Sequence, residues 1–234
     1  ARGRGDGARA EQQCSEALTG LPAERYGPHF MCLSALSNLA MVRGDLWRAR
    51  GLNRDALELA QRIDNPLFEA LAHYERARVL QGRGEVQRAQ EEVHHGLQLV
   101  QRLPAQRSYS VRARLTIYDG YLLSLRLQPG AVERLRAGVA EARACRDVGA
   151  LIGYCVLASL EGREGRCAEA FALLGEAERL MHVWDVPAIY YLAMITLMKC
   201  ELWLRQGQVE LAAAWLPQLA ETGYLKALFF RLDG

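Results

Sequence analysis

Histidines and paired carboxylates are the side chains of this sequence that most resemble a metal site or a catalytic site. His94 and His95 are adjacent, and adjacent residues on a helix point about 100° apart. The two imidazoles therefore cannot bind one ion together, as an i, i+4 pair would. Glu161 and Glu164 lie beside arginines, so ion pairing accounts for them. The sequence predicts no metal site and no catalytic carboxylate pair.

The common catalytic and nucleotide-binding motifs are missing from this sequence. It contains no H-E-x-x-H or G-x-S-x-G motif, and neither lysine, Lys199 or Lys226, follows a glycine as a phosphate-loop lysine would. The six cysteines form no C-x-x-C pair, which favours small buried hydrophobes in a reducing cytoplasm. We therefore expect a cytoplasmic protein that is not an enzyme and has no cofactor in this part of the chain.

Polar and aromatic side chains at helical spacing offer a different chemistry, the binding of a ligand. Arg78 follows Tyr74 by four residues, so on a helix the guanidinium and the ring share one face and could contact an anionic or aromatic ligand. Binding pockets combine apolar walls with a few placed polar groups. The candidate ligand-binding residues are Asn38, Tyr74, Arg78, Tyr118, Tyr121 and Glu201.

A recurring turn motif predicts the elements that hold these residues. The motif is a glycine, an apolar residue two places later and a small residue five places later. It occurs at Gly44, Gly84, Gly165 and Gly207, and a weaker copy at Gly130 has Leu135 in the small position. Each glycine is predicted to end one helix in the left-handed conformation before a second helix begins. Turns recurring at this interval are typical of a helical-hairpin solenoid.

Small residues recur around the motif and predict closely packed helix pairs. Seven places before Gly44, Gly84, Gly165 and Gly207 stand Ser37, Ala77, Ala158 and Cys200. Twelve places after Gly44, Gly84, Gly130 and Gly165 stand Ala56, Gly96, Ala142 and Ala177. Small residues on facing helices allow interaxial distances of about 8–10 Å. Leu123 breaks the rule in the middle repeat, where we expect the first helix to be longer or shifted by a residue.

Positions 3, 6, 10 and 13 before each glycine share another helix face, predicted to line the concave side. This stripe comprises Met31, Ser34, Asn38, Met41, Leu71, Tyr74, Arg78, Gln81, Ile152, Cys155, Ser159, Gly162, Met194, Leu197, Glu201 and Leu204. The facing of Tyr118 and Tyr121 is left open, because the middle repeat is out of phase. Alternatively, the apolar members pack between hairpins, Tyr74 fills such a seam and Arg78 pairs with Glu75 or another nearby carboxylate.

The fold class predicted is all-α, a right-handed superhelix of about five helical hairpins without strands. The helices are predicted at 7–19, 29–43, 46–63, 66–81, 86–102, 109–127, 131–145, 149–161, 166–182, 188–205 and 208–220. The first is the second helix of an incomplete hairpin, and 223–230 begins a further unit. We therefore expect residues 1–234 to be a single solenoid domain excised from a longer chain.

Charge and hydropathy exclude two classes of partner. The net charge of the 234 residues is only +2, so no strongly basic nucleic-acid-binding surface is expected. No run approaches the ~20 apolar residues needed to cross a bilayer. We expect the chain to bind neither nucleic acid nor membrane directly.

The motif and its companions resemble tetratricopeptide-type (TPR) repeats, although the repeats here are longer. The phrases at 80–85, 204–208 and 213–216 are similar to those of the superhelical domain of the maltose regulator MalT and of large ATP-dependent LuxR-family bacterial regulators. The resemblance implies a regulatory region between an upstream ATPase module and a downstream helix-turn-helix module. It also implies that the superhelix binds an inducer or an inhibitory protein.

Two functions are therefore considered for the chain. The first is effector sensing in a bacterial transcriptional activator, with a small-molecule inducer or a regulatory protein bound to the superhelix next to other domains of the parent regulator. The second is a TPR-type scaffold that binds a peptide or partner protein in its concave groove. The stripe lacks the repeated basic residues of a peptide clamp, which favours the sensor.

Overall fold

Helices account for nearly all of the chain that the structure describes. The computed structural model describes residues 7–22, 24–186 and 188–221, and within these ranges it contains eleven helices and no strand. The helices are α1 Gly7–Gly20, α2 Tyr26–Val42, α3 Leu46–Arg62, α4 Pro66–Gly82, α5 Val86–Gln101, α6 Ala105–Leu125, α7 Ala131–Ala144, α8 Gly149–Arg163, α9 Cys167–Val183, α10 Ala188–Arg205 and α11 Val209–Glu221. The helix predicted at 223–230 lies outside the described residues.

Five helical hairpins follow one another, as predicted: α2/α3, α4/α5, α6/α7, α8/α9 and α10/α11. Each second helix also packs against the first helix of the next hairpin, and α1 packs against α2. This order is that of a TPR-like solenoid. The handedness of the superhelix stays a prediction. None of the described helices has the length and apolar character required to cross a membrane.

Four of the motif glycines end the first helices as predicted. Gly44, Gly84, Gly165 and Gly207 all have φ between 73° and 80°. At Gly44 the backbone N–H donates to Met41 and the next N–H donates to Ala40, which is the Schellman arrangement. The following residue, Asp45, caps α3 by accepting a hydrogen bond from the Arg48 N–H.

The middle hairpin departs from the predicted turn. Leu127, with φ 51°, occupies the left-handed position, and the Gln128 N–H donates to the Leu123 carbonyl. Gly130 is instead the residue immediately before α7. The middle repeat is therefore shifted by three residues rather than by one, and α6 is 21 residues long. The predicted extra length of this helix is confirmed.

The shift also explains why Leu123 and Leu135 break the small-residue rule. Seven residues before Leu127 stands Gly120, and a Cβ added there would lie 2.7 Å from the Cγ of Leu135. The small residue of this pair is thus on α6, and the large one is on α7. In the first hairpin, Ser37 occupies the equivalent place, where its hydroxyl donates to the Ala49 carbonyl over 3.0 Å.

Two helices begin earlier than predicted. α2 begins at Tyr26, before Pro28, because a proline in the first turn removes only an N–H that has no intrahelical acceptor. α6 begins at Ala105, directly after Pro104. Ser108 and Ser110, which flank the predicted start at residue 109 as candidates to cap this helix, lie inside it.

The first helices of the hairpins form one layer. α2, α4, α6, α8 and α10 each pack against the next member of the series, in addition to packing within their own hairpins. The face they share therefore runs continuously along the solenoid. We call this face the inner surface, because it carries the stripe predicted to line the concave side.

Candidate functional site

Asn38 and Arg78 join the first two hairpins on the inner surface. The Arg78 Nη2 group donates a hydrogen bond of 3.4 Å to the Oδ1 atom of Asn38, which lies on α2. The Arg78 guanidinium also lies over the Tyr74 ring, 5.6 Å from its centroid. Arginine faces aromatic rings favourably in this way. The predicted Tyr74–Arg78 pair on one helix face is therefore present.

Three tyrosines extend this arrangement into the third hairpin. Tyr74 of α4 meets Tyr118 of α6 edge to face, with ring centroids 5.6 Å apart. Tyr118 in turn contacts Tyr121, again at 5.6 Å. All three are buried. Five of the six predicted site residues thus form one continuous group across α2, α4 and α6, which we call the tyrosine–arginine cluster: Asn38, Arg78, Tyr74, Tyr118 and Tyr121.

Burial makes the phenol groups of Tyr118 and Tyr121 harder to ionise. It raises the pKa of Tyr118 well above its usual value, although the nearby Arg78 charge acts in the opposite direction. Burial likewise raises the pKa of Tyr121 to about 12, against the influence of Arg163. Both hydroxyl groups therefore remain neutral at physiological pH and can still donate a hydrogen bond.

Tyr74 does fill a seam between hairpins, as the alternative interpretation has it. Its ring belongs to the main hydrophobic core together with Tyr118, Leu122 and Leu97. The atoms of the cluster that pack between hairpins are not the atoms that a ligand could reach. The ring edges pack between helices, whereas the half-buried Arg78 and Asn38 side chains are partly exposed to solvent. These two residues are therefore the accessible part of the cluster.

Glu201, the sixth predicted residue, lies apart from the cluster on α10. Its Oε1 atom accepts hydrogen bonds from Arg205 Nε and Nη2 over 3.1 and 2.8 Å. Its Oε2 atom is buried and has no hydrogen-bond partner among the described residues. Glu201 lines a shallow recess with Ser159 of α8, and this recess has no room for a water molecule.

The corrected register shows what the separate residues have in common. Within each hairpin, one left-handed residue ends the first helix: Gly44, Gly84, Leu127, Gly165 or Gly207. The residue six places before it occupies the same position in every hairpin. The residues at that position, which we call the inner row, are Asn38, Arg78, Tyr121, Ser159 and Glu201. Each member is polar or bears a hydroxyl group. Ser159 belongs to the predicted stripe but not to the six candidate ligand-binding residues, because nothing near it in the sequence distinguishes it from other serines.

The paired acidic and histidine residues behave largely as the sequence predicts. Glu161 forms an ion pair with Arg166, and Glu164 lies 3.8 Å from the same guanidinium. His94 and His95 are both exposed and have different neighbours. The Nε2 atom of His94 is 3.3 Å from a carboxylate oxygen of Asp119, whereas the His95 ring packs near His73. The two adjacent histidines do not form a site together.

Comparison with known protein families identifies the family of this chain. The MalT-like TPR region matches residues 1–227, which is nearly the whole chain. No curated protein matches the sequence. The helical hairpins, their turn motif and the match agree with one another. The chain belongs to the MalT-like TPR region family.

Proposed function

We propose that this regulatory helical-repeat domain senses an effector for a bacterial transcriptional activator, and that the effector binds the inner surface at Asn38 and Arg78. The observation that carries the proposal is the tyrosine–arginine cluster. It places a cation, an amide and phenol groups on three consecutive hairpins. The proposal gives the chain no catalytic activity and places it in the cytoplasm.

The chemistry of the cluster suits an anionic or aromatic effector. A guanidinium forms charge-assisted hydrogen bonds with a carboxylate or phosphate group. The Asn38 amide is already within hydrogen-bonding distance of Arg78 and could orient it. The tyrosines add aromatic surface beside the guanidinium.

Binding at this place could change the whole domain. Asn38 of α2 and Arg78 of α4 belong to two different hairpins, so one ligand would contact both units, and the contact between Tyr74 and Tyr118 connects them to a third hairpin. A ligand shifts a conformational equilibrium only by its differential affinity for the two states. An effector that fits one spacing of these helices better than another would therefore alter the superhelix and the placement of neighbouring modules.

A second candidate function is that of a TPR-type scaffold for a peptide or partner protein. The observation that favours it is the inner row, whose polar or hydroxyl-bearing residues recur at one position on successive hairpins from Asn38 to Glu201. An extended partner needs no preformed cavity, since it can lie along the inner row from Asn38 to Glu201. In this case the effector of the regulator is a protein rather than a small molecule.

Native mass spectrometry of the full-length protein, purified from its own host, tests the proposal and separates the two candidates. A small-molecule sensor would carry a mass increment of metabolite size, whereas a scaffold would carry a polypeptide. Arg78→Ala and Asn38→Ala should reduce the bound fraction at least tenfold. The matched control is Arg54→Ala on α3, because Arg54 is exposed and pairs only with neighbours on its own helix among the described contacts. Equal occupancy in wild type and both site variants would contradict the proposal.

A further inference from the structure

His73, Glu92 and His95 converge on the side of the second hairpin, away from the inner row. His73 lies on α4, while Glu92 and His95 lie one turn apart on α5. One ligand atom from each of the three residues lies within 4.8 Å of the other two. The His73 Nδ1 atom is already 2.7 Å from Glu92 Oε2, and the rings of His73 and His95 are 5.7 Å apart.

We propose that these three side chains bind a divalent transition-metal ion, with His73, Glu92 and His95 as its protein ligands. Two imidazoles and one carboxylate are donors that suit zinc and its neighbours in the first transition series, whereas magnesium and calcium prefer oxygen ligands alone. Ligand atoms around a tetrahedral zinc ion lie about 3.4 Å apart. Small side-chain rotations would bring the three donors to that spacing.

Two charged residues surround the cluster. A carboxylate that accepts a hydrogen bond from the second nitrogen of a ligating histidine orients the ring, and Glu69, whose Oε1 atom is 4.0 Å from His73 Nε2, would have to move closer to do so. Arg76 contacts Glu92 through the other oxygen, with its Nε 3.2 Å from Oε1. Oε2 therefore remains the oxygen directed to His73 and the ion.

Exposure differs among the three ligands in a way that permits entry. The side chains of His73 and Glu92 are only 12% and 15% exposed, so they are held by packing. His95 is exposed, so it can swing over an ion arriving from solvent. Because the ligands come from both helices, the ion would fasten α4 to α5. Tyr74 and Arg78 of the tyrosine–arginine cluster lie on this same α4.

Calorimetric titration of the 234-residue chain with zinc chloride, after treatment with a chelator, tests the site. We expect one zinc ion per chain in the wild type, and binding at least tenfold weaker in His95→Gln and His73→Gln. His94→Gln is the matched control, since His94 is the exposed neighbour of His95 but contacts Asp119 instead. Its affinity for zinc should equal that of the wild type.

Nitrogen NMR of the histidine rings separates this site from zinc bound by cysteines elsewhere in the chain. Added zinc should shift the ring nitrogens of His73 and His95 and leave those of His94 unchanged. The His95→Gln variant keeps the test valid if the more buried His73→Gln fails to fold. Unshifted His73 and His95 signals at saturating zinc would overturn the proposal, as would equal losses of affinity in His94→Gln and His95→Gln.

Discussion

At the residue scale, Leu127 occupies a backbone conformation that glycine occupies in the other four hairpins. It has φ 51°, and its side chain is 89% exposed. A left-handed conformation costs a residue with a Cβ about 1–2 kcal/mol, and an exposed side chain recovers little of this through packing. The middle turn is therefore strained in comparison with the turn at Gly44.

Leu127→Gly should raise the free energy of unfolding by roughly 0.5–1 kcal/mol. Relief of the left-handed conformation exceeds the entropy that glycine adds to the unfolded chain. Gly44→Ala is the reciprocal control, and it should lower stability by about 1 kcal/mol. A Cβ there meets no atom within 4 Å, so its cost comes from the backbone alone. Denaturant melts measure both changes, and a less stable Leu127→Gly variant would show that the turn is not strained.

Asp147 connects the third and fourth hairpins through a buried carboxylate. It accepts hydrogen bonds from Arg114 Nε and Nη2, from the Ser110 hydroxyl and from the Gly149 N–H. Burial alone would raise the pKa of this carboxyl, but the Arg114 hydrogen bonds and charge outweigh burial and lower it. Its contribution to stability is thus fully present above the unfolded-state pKa of about 3.9 and is lost as the pH falls through the lower folded-state pKa.

Asp147→Asn should lower stability by roughly 1.5–3 kcal/mol at pH 7, because it removes charge-assisted hydrogen bonds to a buried group. The difference from wild type should shrink below about pH 4, where this carboxylate begins to bind a proton in the unfolded chain while it stays charged in the folded protein. Asp55→Asn, at an exposed ion pair with Arg54, should change stability by less than about 0.5 kcal/mol. Unfolding measured at pH 7 and pH 3 checks this, and a constant difference between the two pH values would contradict it.

At the element scale, close packing within each hairpin depends on fully buried small residues on the second helices. Ala49, Ala89 and Ala170 are all inaccessible to solvent, as are Ala56 and Ala177. Cores packed at this density tolerate added volume poorly. The positions predicted from the glycine motif are therefore the ones at which neighbouring helices leave no space.

Ala170→Leu should destabilise the domain by roughly 1–3 kcal/mol, because the added methyl groups have no space beside α8. Ala168 lies two residues earlier on the same helix and is exposed. Ala168→Leu is therefore the matched control, and its effect should stay within about 0.5 kcal/mol. If the two variants have the same denaturation midpoint, the packing register described for α8 and α9 is wrong.

The hairpins were predictable from the sequence because their turns depend on one residue type with a special conformation. Gly44, Gly84, Gly165 and Gly207 mark their own positions. Leu127 could not be recognised, since leucine gives no signal for a left-handed backbone. The left-handed residues in the turns between hairpins could not be recognised either. Asp64, Arg146 and Asp185 adopt φ of 50–53° there, although none is glycine.

The tyrosine–arginine cluster was predictable in part. The spacing of Tyr74 and Arg78 follows from helix periodicity within α4. The facing of Tyr118 and Tyr121 depends on the three-residue shift in the middle hairpin, which only the structure shows. The approach of His73 to His95 depends on how α4 and α5 pair, so inspection of the adjacent histidines alone misses it.

At the scale of the whole molecule, the tyrosine–arginine cluster links the first helices of three consecutive hairpins, α2, α4 and α6. The hydrogen bond from Arg78 to Asn38 and the contact between Tyr74 and Tyr118 cross from one hairpin to the next. A change in the spacing of two of these hairpins must therefore alter contacts within this cluster. This continuity is the physical basis for proposing that occupancy of the inner surface controls the domain.

Effector-dependent transcription by the proposed activator, in the protein as its own host makes it, tests this claim most directly. Asn38→Ala and Arg78→Ala remove the accessible polar groups of the cluster, whereas Tyr74→Ala would also leave a core cavity costing several kcal/mol. We predict that both variants fold, as shown by circular dichroism, and need at least ten times more effector for half-maximal transcription. That factor corresponds to about 1.4 kcal/mol of lost binding free energy, and Arg54→Ala should respond as the wild type does. Wild-type responses from both folded variants would contradict the proposed site.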